Sequence, residues 1–235
     1  MIRLLTFDLD NTLWETEPVV MAAEQVLLQW LQDHAPLFVE RLDAKARQAL
    51  RQEVLAADPE LRHRVTALRI AVLELGLRKA GYGEDQTREL AQKGFDVFLE
   101  ARHALTFFPH AEKLLEGLAS QYQLATISNG NADIRRLGLE KYFSIIVSAD
   151  EVGLSKPDPA PFLMALDRAG VEPEQTLHIG DHPVDDIQGA LGVGLHTLWF
   201  NRMGLDWPDM TGELRPHGEV RCLSEIPGWL LKYRQ

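Results

Sequence analysis

The stretch Leu4-Leu-Thr-Phe-Asp-Leu-Asp10 narrows the possible folds of this chain more than any other. Leu4, Leu5 and Phe7 make the kind of apolar run that suits a strand buried on both faces, the habit of parallel sheets. The run stops at two carboxylates two residues apart. Residues i and i+2 of an extended chain face the same side, so Asp8 and Asp10 leave the strand end aimed at one volume. Like charges held that close must share a proton, share a cation, or raise one member's pKa. Taken alone, Asp-x-Asp after a strand also reads as a solvated Asx-type turn. The rest of the chain weighs against that bland reading.

Residues 15–104 carry only helical patterns. Val19, Val20, Ala23, Val26, Leu27, Trp30 and Leu31 repeat at i, i+3, i+4 spacing. A second stripe, opened by Asp43, runs through Ala46, Leu50 and Val54. Asp58-Pro59 predicts an N-cap with proline at the first helical position, opening a helix with Leu61, Val65, Leu68, Val72 and Leu75 that ends at Gly76 or Gly81. A fourth helix, from about Asp85, carries Leu90, Val97, Phe98 and Ala101. Four amphipathic helices in succession predict a small bundle. Trp30 and Phe98 read as its core aromatics, and Arg62, Arg64 and Arg69 as solvated basic residues, with Arg69 also placed to face a crevice.

After Phe107-Phe108-Pro109 the rhythm becomes strand and helix in alternation. A helix with Leu114, Leu115 and Leu118 precedes a strand over 124–127 and the turn Ser128-Asn129-Gly130. Further expectations are a helix ending near Gly138, a strand at 145–147, and a helix over 162–169 stopped by Gly170. Strands at 176–179 and 196–200 follow, with a helix from about Asp185 to Ala190 between them, then a strand at 220–222 and a helix over 224–231. This order predicts an α/β fold: a doubly wound, Rossmann-like parallel sheet with right-handed crossovers and an inserted all-α four-helix cap. The boundaries expected are 1–14 with 105–235 for the core and 15–104 for the cap, which would sit over the sheet's carboxyl end.

Ligands of such sheets bind beyond the carboxyl ends of the strands. The polar residues after the strands are Asp8 and Asp10, Ser128 and Asn129, Lys156, and Asp181, so one crevice should collect them. Carboxylates suit Mg²⁺, which takes oxygen ligands. A lysine with hydroxyl and backbone N–H donors suits phosphoryl oxygens. Asp8 then reads as a nucleophile forming an aspartyl-phosphate, Asp10 as the acid that protonates the leaving oxygen and the base that activates water, and Asp181 as a further metal carboxylate. Each piece has an ordinary alternative: Lys156 before Pro157 as a surface lysine, Ser128-Asn129-Gly130 as a capped turn, Asp181 after Gly180 as a helix cap. All would have to hold together, in order, each at a strand's end.

Charge and composition exclude competing classes. A net charge of −11 argues against a nucleic-acid footprint and against anionic membrane surfaces. Cys222 is the only cysteine, so neither an intrachain disulfide nor a cysteine zinc cluster can form. With no signal-like or membrane-spanning stretch, the expectation is a cytoplasmic enzyme of a small phosphorylated substrate, with no nucleic-acid or membrane partner.

Phe7-Asp-Leu-Asp-Asn-Thr-Leu13, Ile127-Ser-Asn129, Ser155-Lys-Pro157 and Ile179-Gly-Asp-His-Pro-Val-Asp-Asp186 resemble, in order, the four motifs of the haloacid dehalogenase-like hydrolase superfamily. The helical insertion between the first two resembles the branch with a helical-bundle cap. The resemblance implies Asp8 as nucleophile and Mg²⁺ ligand, and Asp10 as acid/base with its carbonyl on the metal. It further implies Ser128 and Asn129 on the phosphoryl oxygens, Lys156 neutralising phosphate and nucleophile, Asp181 on Mg²⁺, and Asp186, in preference to Asp185, supporting the metal or Lys156. His182 stands where the family often has serine. Haloacid dehalogenases resemble a pattern that lacks the second aspartate, so Asp10 favours phosphomonoester hydrolysis. Leu13-Trp-Glu-Thr-Glu-Pro-Val-Val20, Arg64-Val-Thr-Ala-Leu-Arg69 and Ile127-Ser-Asn-Gly-Asn-Ala132 look like bacterial phosphatases of flavin mononucleotide and 5-amino-6-(5-phosphoribitylamino)uracil, an implication of riboflavin synthesis. Phosphatases of sugar phosphates or nucleoside monophosphates, a phosphomutase, and a non-catalytic phosphometabolite-binding module are the alternatives.

Overall fold

The computed structural model describes residues 1–208 and 214–233. They form two compact units, Met1–Glu15 with Thr106–Gln235, and Thr16–Leu105.

The first unit is built on a six-stranded sheet in the order β3-β2-β1-β4-β5-β6, with every pairing parallel. The strands are β1 (Leu4–Phe7), β2 (Gln123–Ser128), β3 (Ile145–Ser148), β4 (Thr176–Gly180), β5 (His196–Phe200) and β6 (Gly218–Val220). Every residue of β1 is buried, as its apolar run requires. The chain winds outward from β1 in both directions, so the topological switch lies between β1 and β4. Register sets Phe7 beside both Thr126 and Ile179. The residues that follow these three strands therefore emerge at one level. Phe162, Ala165 and Leu166 of the helix Pro159–Ala169 close one core with Leu4, Ile127 and Val147. The phenylalanine, leucine, isoleucine and valine side chains among them contribute about 1.5–3 kcal/mol each when fully buried.

Three sequence expectations change here. Residues before Gly138 form a run of turns and no helix. Asp133 accepts from Arg135 N (2.9 Å) and Leu139 N bonds back to Ile134 O (2.9 Å), which closes the segment after one turn. The final strand is β6, Gly218–Val220, ending where 220–222 was expected to run. Its helix follows at Ile226–Tyr233. The segment expected to be a helix from Asp185 opens at Pro183 as one wide turn, with Ile187 N bonding to His182 O at 3.3 Å, and passes into a short α-turn at Gly189–Gly192.

The second unit holds four long helices, Thr16–His34, Ala44–Ala57, Val65–Ala80 and Glu84–Arg102, and one short helix, Pro36–Arg41, that the apolar spacing did not reveal. Asp43 caps its helix by accepting from Ala46 N (2.7 Å). Asp58 does not open the third long helix. It caps a 3₁₀ segment, Pro59–His63, that stops at a non-helical Arg64 (φ −125°, ψ 78°). Such tight turns eclipse their side chains and stay short, so the α-helix restarts at Val65 and ends at left-handed Gly81 (φ 95°). Ala23, Leu27, Leu31, Phe38, Leu50, Leu73, Leu77 and Phe98 form the core of this unit. Arg69 pairs with Glu24 and lies 3.6 Å over the Phe98 ring. Among the described residues no helix is long and apolar enough to cross a membrane.

Candidate active site

The strand ends of the first unit enclose an acidic cavity of about 300 Å³ whose walls include Asp8, Asp10, Asn129, Lys156, Asp181 and Asp186. Lys156 is its centre. The lysine is 3 % exposed, and its Nζ donates to Asp8 Oδ1 (2.7 Å) and Asp186 Oδ1 (2.6 Å). A cation so deeply buried is stable only between such partners. Burial by itself lowers the Lys156 pKa, but the Asp186 and Asp8 carboxylates outweigh it and raise the group above its ordinary value.

Asp186 is the best-anchored carboxylate. Besides Lys156 it takes His178 Nε2 (3.1 Å) and the backbone N–H of His182 (2.8 Å). Burial works to raise its pKa, and the charge of Lys156 together with His178 overrides this and holds it well below the usual carboxylate range. A neutral imidazole has one N–H. With Nε2 donating to Asp186, His178 Nδ1 accepts from the Thr6 hydroxyl (2.8 Å). Burial lowers the His178 pKa, consistent with that neutral ring. Gly180 makes room: a Cβ there would overlap the Asp186 side chain.

Asp8 and Asp181 lie in the opposite electrostatic state. Burial pushes the Asp8 pKa well above its ordinary value despite Lys156, with Asp186 and Asp181 adding to the rise. Burial, then the charge of Asp186, pushes Asp181 up to about 7. Thr12 Oγ1 reaches both, at 3.3 Å from Asp8 Oδ2 and 3.4 Å from Asp181 Oδ1. Trp199 Nε1 fixes the Asp181 backbone by donating to its carbonyl (2.7 Å). One oxygen each from Asp8, Asp181 and Asp186 falls within 4.8 Å of the others. Two buried carboxylates, Asp8 and Asp186, and the half-buried Asp181 converge beside one lysine, and an all-oxygen donor set of this kind fits a hard divalent cation such as Mg²⁺.

Asp10 is held separately. Trp14 Nε1 donates to its Oδ1 at 2.9 Å, and a side chain at Gly130 would collide with its Oδ2. Asn129 ties down the loop that carries Lys156, its Oδ1 accepting from Lys156 N (2.8 Å) and its Nδ2 donating to Lys156 O (3.0 Å). Ser128 accepts from Gly130 N (3.0 Å) and is 5 % exposed. Asp185 also faces the cavity, 3.4 Å from Asn129 Nδ2, and its backbone N–H is capped by His182 Nδ1 (3.0 Å). Burial raises the Asp185 pKa. Of the site residues read from the sequence, Asp8, Asp10, Asn129, Lys156, Asp181, Asp185 and Asp186 line one cavity, and Ser128 is bonded to Gly130 of its wall. Trp14, Gly180 and Thr6 were not foreseen in these supporting places.

A family model described as haloacid dehalogenase-like hydrolase matches residues 2–194. The chain is 30% identical over 226 residues to the 5-amino-6-(5-phospho-D-ribitylamino)uracil phosphatase YigB of Escherichia coli, across 96% of this chain and 94% of that protein. It is 31% identical over 247 residues to a phosphoserine phosphatase of Thermus thermophilus, across 94% and 97%. Among solved structures, the 2-haloacid dehalogenase from Pseudomonas syringae pv. Tomato superposes with a TM-score of 0.94 at 43% identity, over 99% of this chain and 100% of that one.

Proposed function

The chain belongs to the haloacid dehalogenase-like hydrolases, and from that premise we propose that its acidic pocket hydrolyses phosphomonoesters of a small metabolite through Asp8. The observation that carries this reading is the second carboxylate: Asp10 is oriented by Trp14 beside the carboxylate that Lys156 holds.

Asp8 attacks phosphorus while the ester P–O bond breaks. Asp10 gives its proton to the departing alkoxide, so the leaving group departs as a neutral alcohol. Asp10, now a base, takes a proton from water as that water attacks phosphorus, and the aspartyl P–O bond breaks to free Asp8 and inorganic phosphate. Lys156 offsets the repulsion between anionic ester and nucleophile, and Asp186 with His178 keeps the ammonium in place. Ser128, whose hydroxyl lies at the end of β2, would hold a phosphoryl oxygen. Asp8, the Asp10 carbonyl and Asp181 would hold Mg²⁺, with Asp186 supporting it. The ion's contribution when bound is positive charge beside the transferring group.

The relatives above act on different phosphorylated metabolites, and within that range we favour a riboflavin-pathway ribityl phosphate or flavin mononucleotide. The support is the 30% identity to the ribitylaminouracil phosphatase over both chains. A second reading, dehalogenation of small haloacids, draws on the 43%-identical structure. Halide leaves as a stable anion and needs no proton, so a haloacid site has no use for Asp10 as a general acid. Phosphate release from flavin mononucleotide, sugar phosphates and nucleoside monophosphates, beside chloride release from a 2-chloroacid, tests the choice. Phosphate release that is lost in Asp8→Asn, and fastest on the flavin ester, supports the proposal. Chloride release with no phosphate release from any ester refutes it.

A further inference from the structure

A second cavity of about 290 Å³ shares Asn11 and Asp181 with the acidic pocket. Its distinctive wall is a shelf on the first unit: the Arg202 guanidinium lies 4.5 Å over the Phe108 ring, which itself sits 5.9 Å from Phe200, and Met203 beside them is 73% exposed. No step above uses these side chains. The loop that bears them is fixed. Asn201, 4% exposed, donates from Nδ2 to Leu205 O (2.8 Å) and Glu219 Oε1 (2.9 Å) and accepts from Leu205 N (2.9 Å). Left-handed Gly204 (φ 66°) allows the tight return. Two residues earlier, Trp199 is bonded to the Asp181 carbonyl. The shelf is thus held in register with the acidic pocket by hydrogen bonds.

We propose that this shelf seats the non-phosphate part of the substrate and selects a planar ring that is uncharged or cationic, an assignment that rests on the phosphatase reading of the acidic pocket. An exposed guanidinium stacked on an aromatic ring offers its other face to a second planar group. A body with no planar ring, such as glycerol, presents no π face to the Arg202 guanidinium. An anionic body would meet Glu15 and Asp206, which line the same cavity.

The test is calorimetric binding of phenylphosphonate and methylphosphonate to the intact protein with Mg²⁺, for wild type, Arg202→Ala and Phe108→Leu. Wild type should prefer the phenyl compound about tenfold, the yield of one good stacking contact, and each variant should cut that preference to about threefold or less. The ratio of kcat/KM for phenyl phosphate over glycerol phosphate should fall in parallel. Methylphosphonate bound as tightly as the phenyl compound, or a phenyl preference that survives both substitutions, overturns the shelf and leaves the phosphatase reading standing. Binding of neither phosphonate, together with no Asp8-dependent release from either ester, overturns both.

Discussion

Gly180→Ala should cripple the site through one methyl group. Gly180 closes β4 without a left-handed backbone, so φ does not demand glycine there. The demand comes from Asp186, whose side chain occupies the space a Cβ would take. Asp186 cannot yield freely, because Lys156 (2.6 Å), His178 (3.1 Å) and His182 N–H (2.8 Å) fix it from three sides. Overpacking of this kind costs about 1–3 kcal/mol, and losing one charge-assisted bond adds about 1.5–3 kcal/mol. A total of roughly 2.5–6 kcal/mol is a large part of the about 5–15 kcal/mol that holds a domain folded. Urea unfolding followed by tryptophan fluorescence suits the measurement, since Trp14, Trp199, Trp207 and Trp229 all belong to the sheet unit. Gly117→Ala is the control: it lies in the helix Ala111–Ala119 with open space around its Cβ position, so alanine there should stabilise by about 0.5–1 kcal/mol. Displacing Asp186 also misplaces Lys156, and phosphate release should fall about a hundredfold. A Gly180→Ala protein as stable and as active as wild type would show that Asp186 can move aside at no cost.

Two further outcomes follow from charge. Chelating divalent metal should stop phosphate release, and saturating Mg²⁺ should raise the urea midpoint of wild type because ligands of the native state stabilise it; in Asp181→Asn that Mg²⁺-dependent gain should shrink by more than half, and an undiminished gain would remove Asp181 from the metal set. His217 is held neutral by burial and by the nearby His196, which lower its pKa, and its Nδ1 accepts from Thr197 N (3.2 Å). A group whose folded pKa lies below its unfolded one contributes stability that is present above the unfolded value and is lost as pH falls. Between about pH 7 and pH 5 the wild-type unfolding midpoint should therefore drop more steeply than that of His217→Asn, and parallel curves would show that His217 does not titrate on unfolding.

The sequence was most legible where chemistry is local. Asp8 and Asp10 follow a buried strand at a spacing that brings two carboxylates to the same strand end, and the strand–helix alternation set the parallel sheet whose centre is β1. The supporting residues were obscure because their reasons lie far along the chain. Trp14 read as part of a motif, yet its indole orients Asp10. The pairing of His178 with Thr6 spans 172 positions. Asn129 was assigned to phosphoryl oxygens, whereas its amide makes two bonds to the Lys156 backbone, a pairing that only the fold brings about. The misplaced helices fail for local reasons. Between Asn131 and Gly138 an aspartate side chain competes for the backbone N–H groups, and Asp58-Pro59 is as good a start for a 3₁₀ turn as for an α-helix.

In the proposed mechanism Asp8 carries the phosphoryl group and Asp10 moves the protons. p-Nitrophenyl phosphate separates the two, because its leaving group departs without a proton. Rapid mixing of Asp10→Asn with that ester in Mg²⁺ should release about one p-nitrophenol per protein in a burst and then nearly stop, since the aspartyl-phosphate forms but lacks its base. Asp8→Asn should give neither burst nor turnover. A burst that survives Asp8→Asn, or an Asp10→Asn protein that turns over steadily at the wild-type rate without one, would contradict the account.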